Sequence, residues 1–169
     1  MKTHSRIKHL PVLLAALFAL LTATGASAQV SVKDPWVRAT VAAQKSTGAY
    51  MQITAPTDSR LIEASSPVAG VVEIHEMRME GNVMKMRAVD GGIALPAGKP
   101  VMLSSGGYHV MMMDLKGQIK AGDTVPLTLV IEGKDKKRQS VEVRAVARAL
   151  GGNASAAMPT APMSSEHKH

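Results

Sequence analysis

From Val30 onward, apolar residues recur at alternate positions or in short solid runs, and Gly, Pro, Asn and Asp separate the runs. A period of two puts successive side chains on opposite faces of an extended chain. The pattern predicts strands over Val30–Ala39, Gly48–Thr54, Leu61–Ser65, Val71–Arg78, Val83–Val89, Val101–Ser104, His109–Leu115, Thr124–Glu132 and Gln139–Ala147. The breaks fall at Ala55-Pro56-Thr57-Asp58, Gly81-Asn82, Asp90-Gly91-Gly92, Ser105-Gly106-Gly107 and Lys120-Ala121-Gly122-Asp123. No helical period follows the N-terminal segment. Many short strands at regular spacing predict an all-β sandwich or barrel.

The two ends differ from this middle. Lys2, Arg6 and Lys8 precede an apolar run from Leu10 to Leu21, and Ala26-Ser27-Ala28 is a small-residue cleavage site. Residues 1–28 therefore read as a secretory signal, cleaved after Ala28 to start the mature chain at Gln29 in the periplasm. The apolar run is short for a membrane span, and no later stretch is a candidate for one. Residues 29–148 form the predicted β domain. From Ala149 to His169 the chain is rich in Ala, Ser, Gly and Pro and reads as a disordered tail.

Composition narrows the chemistry. The chain has no cysteine, which excludes disulfide frameworks, zinc–thiolate sites, iron–sulfur clusters and a blue-copper thiolate. It has 12 Met against one Trp, two Tyr and one Phe. The net charge of +7 falls to +4 when Lys2, Arg6 and Lys8 leave with the signal. The densest basic run, Lys134 to Arg138, reads as a solvated hairpin turn. Export and the scarcity of stacking aromatics argue against nucleic acid.

Histidine and methionine cluster. Eight methionines lie between Met77 and Met113, and the domain histidines, His75 and His109, fall in or beside that stretch. With Gly81-Asn82 as a two-residue turn, Met79 faces Met84, Met77 faces Met86, and His75 faces Ala88 with Met86 on its diagonal. His75, Met77, Met79, Met84 and Met86 then share one face. His109-Val110-Met111 places an imidazole and a thioether on one face of another strand. A His₂Met₂ set of neutral, soft ligands selects Cu(I) among available metals. Thioether also avoids the disulfides that cysteine forms in an oxidising compartment. Taken singly, Met77, Met79, Met84, Met102, Met112 and Met113 are expected as core filler, and Met51 more firmly so.

These residues resemble a known family, the periplasmic copper(I) chaperones of the PCuAC type. Their signature is a histidine, a methionine eleven residues later, and then His-x-Met about twenty-two residues on. His75 and Met86 are eleven apart, and His109-Val110-Met111 follows after twenty-two intervening residues. DPWVRAT, STGAYMQI, RLIEASSPVAG, LPAGKPV, GGYHVMMMDLK and IKAGDTVPLTLVIE are similar to family segments in the same order. Departures are Ser104-Ser105 in place of Lys-Pro before Gly-Gly-Tyr-His, and a missing Phe near Val130-Ile131-Glu132. The resemblance implies a cupredoxin-like β fold and one Cu(I) held by His75, Met86, His109 and Met111. It also implies delivery toward the CuA centre of cytochrome c oxidase, to subunit II directly or through an intermediary thiol copper chaperone.

The tail is similar to extensions in some family members. Met158, Met163, His167 and His169 are its auxiliary ligand candidates, and His167-Lys168-His169 suits Cu(II). Deleting the residues after Leu150 is expected to lower copper capacity or affinity. An enzyme is disfavoured: the chain has no nucleophile-elbow serine motif, H-E-x-x-H or phosphate-binding Gly loop, and Asp34, Asp90 and Asp114 are expected at turns or strand ends. The alternatives are a periplasmic copper sequestration or resistance protein using the same ligands, and an adhesion sandwich with incidental methionines.

Overall fold

The computed structural model describes residues 29–149. The expected signal lies outside the described residues, and so do Met158, Met163, His167 and His169. Ten strands follow one another: β1 (Ser31–Arg38), β2 (Ser46–Thr54), β3 (Ser59–Ser65), β4 (Ala69–Glu80), β5 (Val83–Ala88), β6 (Ile93–Leu95), β7 (Pro100–Leu103), β8 (Tyr108–Leu115), β9 (Thr124–Gly133) and β10 (Arg138–Arg148). Among the described residues, no helix is long and apolar enough to cross a membrane. Each break read from the sequence lies between strands. The basic run begins in the exposed turn between β9 and β10 and ends at Arg138, the first residue of β10.

The strands form one open sheet in the order β5-β4-β8-β2-β1-β10-β9-β3-β6. Strand β2 serves two partners along one edge: Ser46–Ala49 pairs with β8, and Met51–Thr54 pairs with β7. The turn Ser104–Gly107 carries the chain from β7 back into β8, closed by hydrogen bonds between Ser104 N–H and the Tyr108 carbonyl and between Gly107 N–H and the Ser104 carbonyl. The pairing of β1 with β10 is parallel, while the other paired strands run antiparallel.

A single buried cluster unites residues from both ends of this sheet. Ile74, Val110 and Met112 from β4 and β8 join Leu61, Leu127, Leu129 and Ile131 from β3 and β9. The sheet is therefore folded over on itself, with its apolar faces turned inward. Alternation explains the membership: Val110 and Met112 point into the core, and their neighbours His109, Met111 and Met113 point to the other face of β8.

Three details depart from the sequence expectation. Strand β6 is too short to carry a period, and it forms because β3 offers it a hydrogen-bonding edge. Asp34 lies inside β1, at φ 47°, where the pairing with β2 shifts register between Lys33 and Trp36. It is part of a bulge, and its carboxylate pairs with Arg148 of β10. The methionine expectation is corrected most. Met112 and Met51 are core, but Met79, Met84 and Met102 are exposed, and Met77 and Met113 are only half-buried. Period two sorts residues onto faces without saying which face is covered.

Candidate metal centre

The hairpin of β4 and β5 has the register expected from its two-residue turn. His75 pairs with Ala88, Met77 with Met86, and Met79 with Met84. Gly81, at φ 63°, supplies the left-handed turn conformation that a side chain disfavours. On its other edge, β4 pairs with β8, and there His75 lies directly opposite His109 and Glu73 opposite Met111. Three strands thus bring the predicted residues onto one face.

The two imidazoles are buried, with ring centroids 5.9 Å apart in an edge-to-face arrangement. His109 Nδ1 lies 3.1 Å from the Gly107 carbonyl oxygen. A carbonyl only accepts, so Nδ1 carries the proton and Nε2 presents a lone pair. That Nε2 lies 3.3 Å from Met86 Sδ. His75 Nε2 donates to the Glu73 carboxylate at 2.8 Å, and its Nδ1 is buried with no hydrogen-bond partner. It is the one such orphan among the described buried side-chain nitrogens and oxygens. A buried polar atom left unpaired costs about 1–3 kcal/mol, so this one asks for an explanation.

Both histidines therefore follow one rule. One ring N–H is anchored to an oxygen, and the second nitrogen is a free lone pair. This is how metal-ligating histidines are commonly oriented by their surroundings. The two anchors, Glu73 and Gly107, were not singled out in the sequence. Glu73 had a weak signal: an acid two residues before a histidine on a strand shares its face. Gly107 had none, because its carbonyl is set by the turn.

Met86, His109, Met111 and Met77 line a hollow of about 250 Å³, with Arg38, Ser105, Gly48 and Tyr50 on its other walls. Met86 is exposed at its mouth and Met111 is half-buried. Gly48 stands opposite Met111, and the Tyr50 phenol folds back over it, so close that a Cβ at Gly48 would meet the ring. The Tyr50 ring lies 6.3 Å from His109 and 4.4 Å from Trp36. Burial, above all, holds His109 below the ordinary histidine range, aided by the nearby His75 ring and Arg38, while the hydrogen bond to Gly107 acts in the opposite direction. A neutral imidazole is the form that binds a metal. Among the described residues, no three His, Cys, Asp or Glu side chains converge, so a hard-metal cage of oxygen and nitrogen is not present there.

Residues 30–145 match the family described as "Putative lipoprotein LpqE-like". The chain belongs to the LpqE-like family. It is 28% identical over 100 residues to "Putative lipoprotein Lxx21020" of Leifsonia xyli subsp. xyli, a match covering 59% of this chain and 60% of that protein. It is also 28% identical over 123 residues to "Uncharacterized protein RP573" of Rickettsia prowazekii, covering 70% and 68% respectively. In three dimensions this LpqE-like chain is similar to the copper-bound PCuAC domain from PmoF2, with a TM-score of 0.57 at 25% identity over 73% of this chain and 95% of that one. It is also similar to CuI-DR1885 from Deinococcus radiodurans, with a TM-score of 0.56 at 27% identity over 77% and 85%. The fold is the cupredoxin-like one that the sequence led us to expect.

Proposed function

We propose that this chain is an exported Cu(I) carrier that binds one ion through His75, Met86, His109 and Met111. It passes the ion toward the CuA centre of cytochrome c oxidase, to subunit II directly or through a thiol copper chaperone. The observation that carries the reading is the facing pair of imidazoles, each with one ring nitrogen anchored to an oxygen and the other free, with His109 Nε2 3.3 Å from the Met86 thioether. Two neutral nitrogens and two thioethers suit a soft monovalent ion and leave zinc, calcium and magnesium poorly served. The similarity to domains described as copper-bound and CuI-bound supports the same metal.

Export is supported by the leader-like N-terminus and by relatives described as lipoproteins. The lipid itself is not carried over, because a chain without cysteine offers no thiol to acylate or prenylate. The mature protein then works in the periplasm. Its exchange chemistry needs no redox step. Met86 at the mouth of the hollow is the first ligand an incoming acceptor meets, and a thiolate displaces thioether readily.

The test is Cu(I) affinity measured by competition with a chromogenic chelator, on the wild-type chain and on His75→Ala/His109→Ala. Single methionine changes are weaker tests, since Met77, Met84 or Met113 can substitute. Tight one-to-one binding that the double variant loses is the expected result. Equal binding by both proteins would sink the assignment. The methionine excess also favours sequestration as a second reading. Transfer to an apo CuA domain separates the two, since a store retains its copper.

A further inference from the structure

Met79 and Met84 do not line the inner hollow, and no core lies over them. They are directly opposite each other near the tip of the β4–β5 hairpin, 58% and 44% exposed. Met77 and Met86 form the adjacent pair one step inward on the same face. The hairpin's reverse face carries ion pairs, Arg87 with Glu76 and Lys85 with Glu80, each at 2.7 Å. Strand β5 is the sheet edge, and every one of its residues is exposed. Packing therefore explains neither member of the outer pair. A strand tip in water is ordinarily polar, and two facing thioethers there give up solubility with no burial in return.

Four thioethers thus lie in two adjacent cross-strand pairs. Directly opposite residues are about 4.5–5.5 Å apart at Cβ and diagonal ones about 7–8 Å, a span that long, unbranched side chains bridge. Neutral sulfur with no nearby His, Cys or carboxylate cluster excludes hard cations and leaves a soft monovalent ion.

We infer that Met79 and Met84, with Met77, form a second, thioether-only Cu(I) site at the hairpin tip. It rests on the copper reading of the chain but not on the four inner ligands. Without imidazole it binds more weakly than the inner site and fills after it. Met77 borders both sites, so an ion moves inward by exchange of one sulfur for another: one Cu–S bond forms as one breaks, and copper stays Cu(I). The hairpin is then an outer station between solvent and the buried histidines.

The experiment is NMR of the methionine ε-methyl groups in the full exported chain, titrated with Ag(I) as a redox-silent probe and then with Cu(I) under reductant. The first equivalent is expected to shift Met86 and Met111, and the second to shift Met77, Met79 and Met84. Met79→Leu/Met84→Leu, a change of nearly constant volume at exposed positions, should lose one bound equivalent and keep the response of Met86 and Met111. In His75→Ala/His109→Ala the Met79 and Met84 shifts should persist, so failure of the inner site reads separately. Met79 and Met84 signals that stay fixed while the second equivalent moves Met158 and Met163 would overturn the inference. Unchanged stoichiometry in Met79→Leu/Met84→Leu would do the same.

Discussion

At the scale of single residues, the decisive feature is what each histidine does with its second nitrogen. Glu73 holds His75 by one nitrogen, which leaves the other buried and without a hydrogen-bond partner. Glu73→Gln keeps the shape and removes the charge. It should weaken Cu(I) binding by roughly 10–100-fold, as loss of such an anchoring partner does elsewhere. Chelator competition checks this, with circular dichroism as the control for folding. His109 gives a prediction in pH. Its folded pKa lies below the ordinary histidine value, mainly through burial. Between that lower value and about 6.5, the unfolded chain binds the proton and the folded chain does not. The metal-free protein should therefore lose stability as pH falls through this window and be indifferent to His109 above it. An NMR titration of the His109 ring should show a midpoint displaced to acid. A midpoint at or above the free-histidine value would contradict the burial argument.

At the scale of elements, β8 shows how one strand serves two purposes. Met111 and Met112 are adjacent, yet Met112 is fully buried in the core and Met111 faces the hollow. Met112→Ala should cost about 2–5 kcal/mol through lost transfer energy and a cavity. It should barely change the metal ligands. Met111→Leu should leave stability within about 1.5 kcal/mol, because its volume is kept, and should lower Cu(I) affinity. Thermal denaturation and chelator competition on the same two variants test this division. A variant pair with the two effects reversed would mean the strand is turned over. The β4–β5 hairpin is legible in the sequence by itself: a two-residue Gly-Asn turn sets the register, and period two sets the face. The pairing of β4 with β8 is not legible there. Strands β5, β6 and β7 intervene between the paired segments, and the choice depends on the edge that β4 meets in the assembled sheet.

At the scale of the whole molecule, the site exists only in the folded state. Its residues come from β4, β5 and β8, with β2 and the Ser104–Gly107 turn as walls. An unfolded chain has the same ligands at scattered distances, so Cu(I) binds the folded state preferentially. At free Cu(I) one hundred times the dissociation constant, folding should gain about 2.7 kcal/mol. A rise in Tm over the first equivalent of Cu(I) that is lost in His75→Ala/His109→Ala is the expected outcome. The same rise in the double variant would place the binding elsewhere. The folded sheet also explains why the methionines divide as they do. One face of β4 and β8 closes over the core, and the other carries sulfur toward solvent.

The sequence alone determined whatever depends on neighbours along the chain. Alternation gave the strands and their faces, the turn chemistry gave the hairpin register, and the absence of cysteine with an excess of methionine gave the character of the ligands. Tertiary structure decided the rest. It set His109 opposite His75, turned Met112 inward and Met79 outward, and placed the Glu73 carboxylate and the Gly107 carbonyl on the ring nitrogens. It also gave the three residues of β6 a partner. The reason is physical. Local propensity and period act over a few residues and are written in them, whereas burial and pairing depend on which surfaces meet, and that is fixed only when the whole sheet closes on its core.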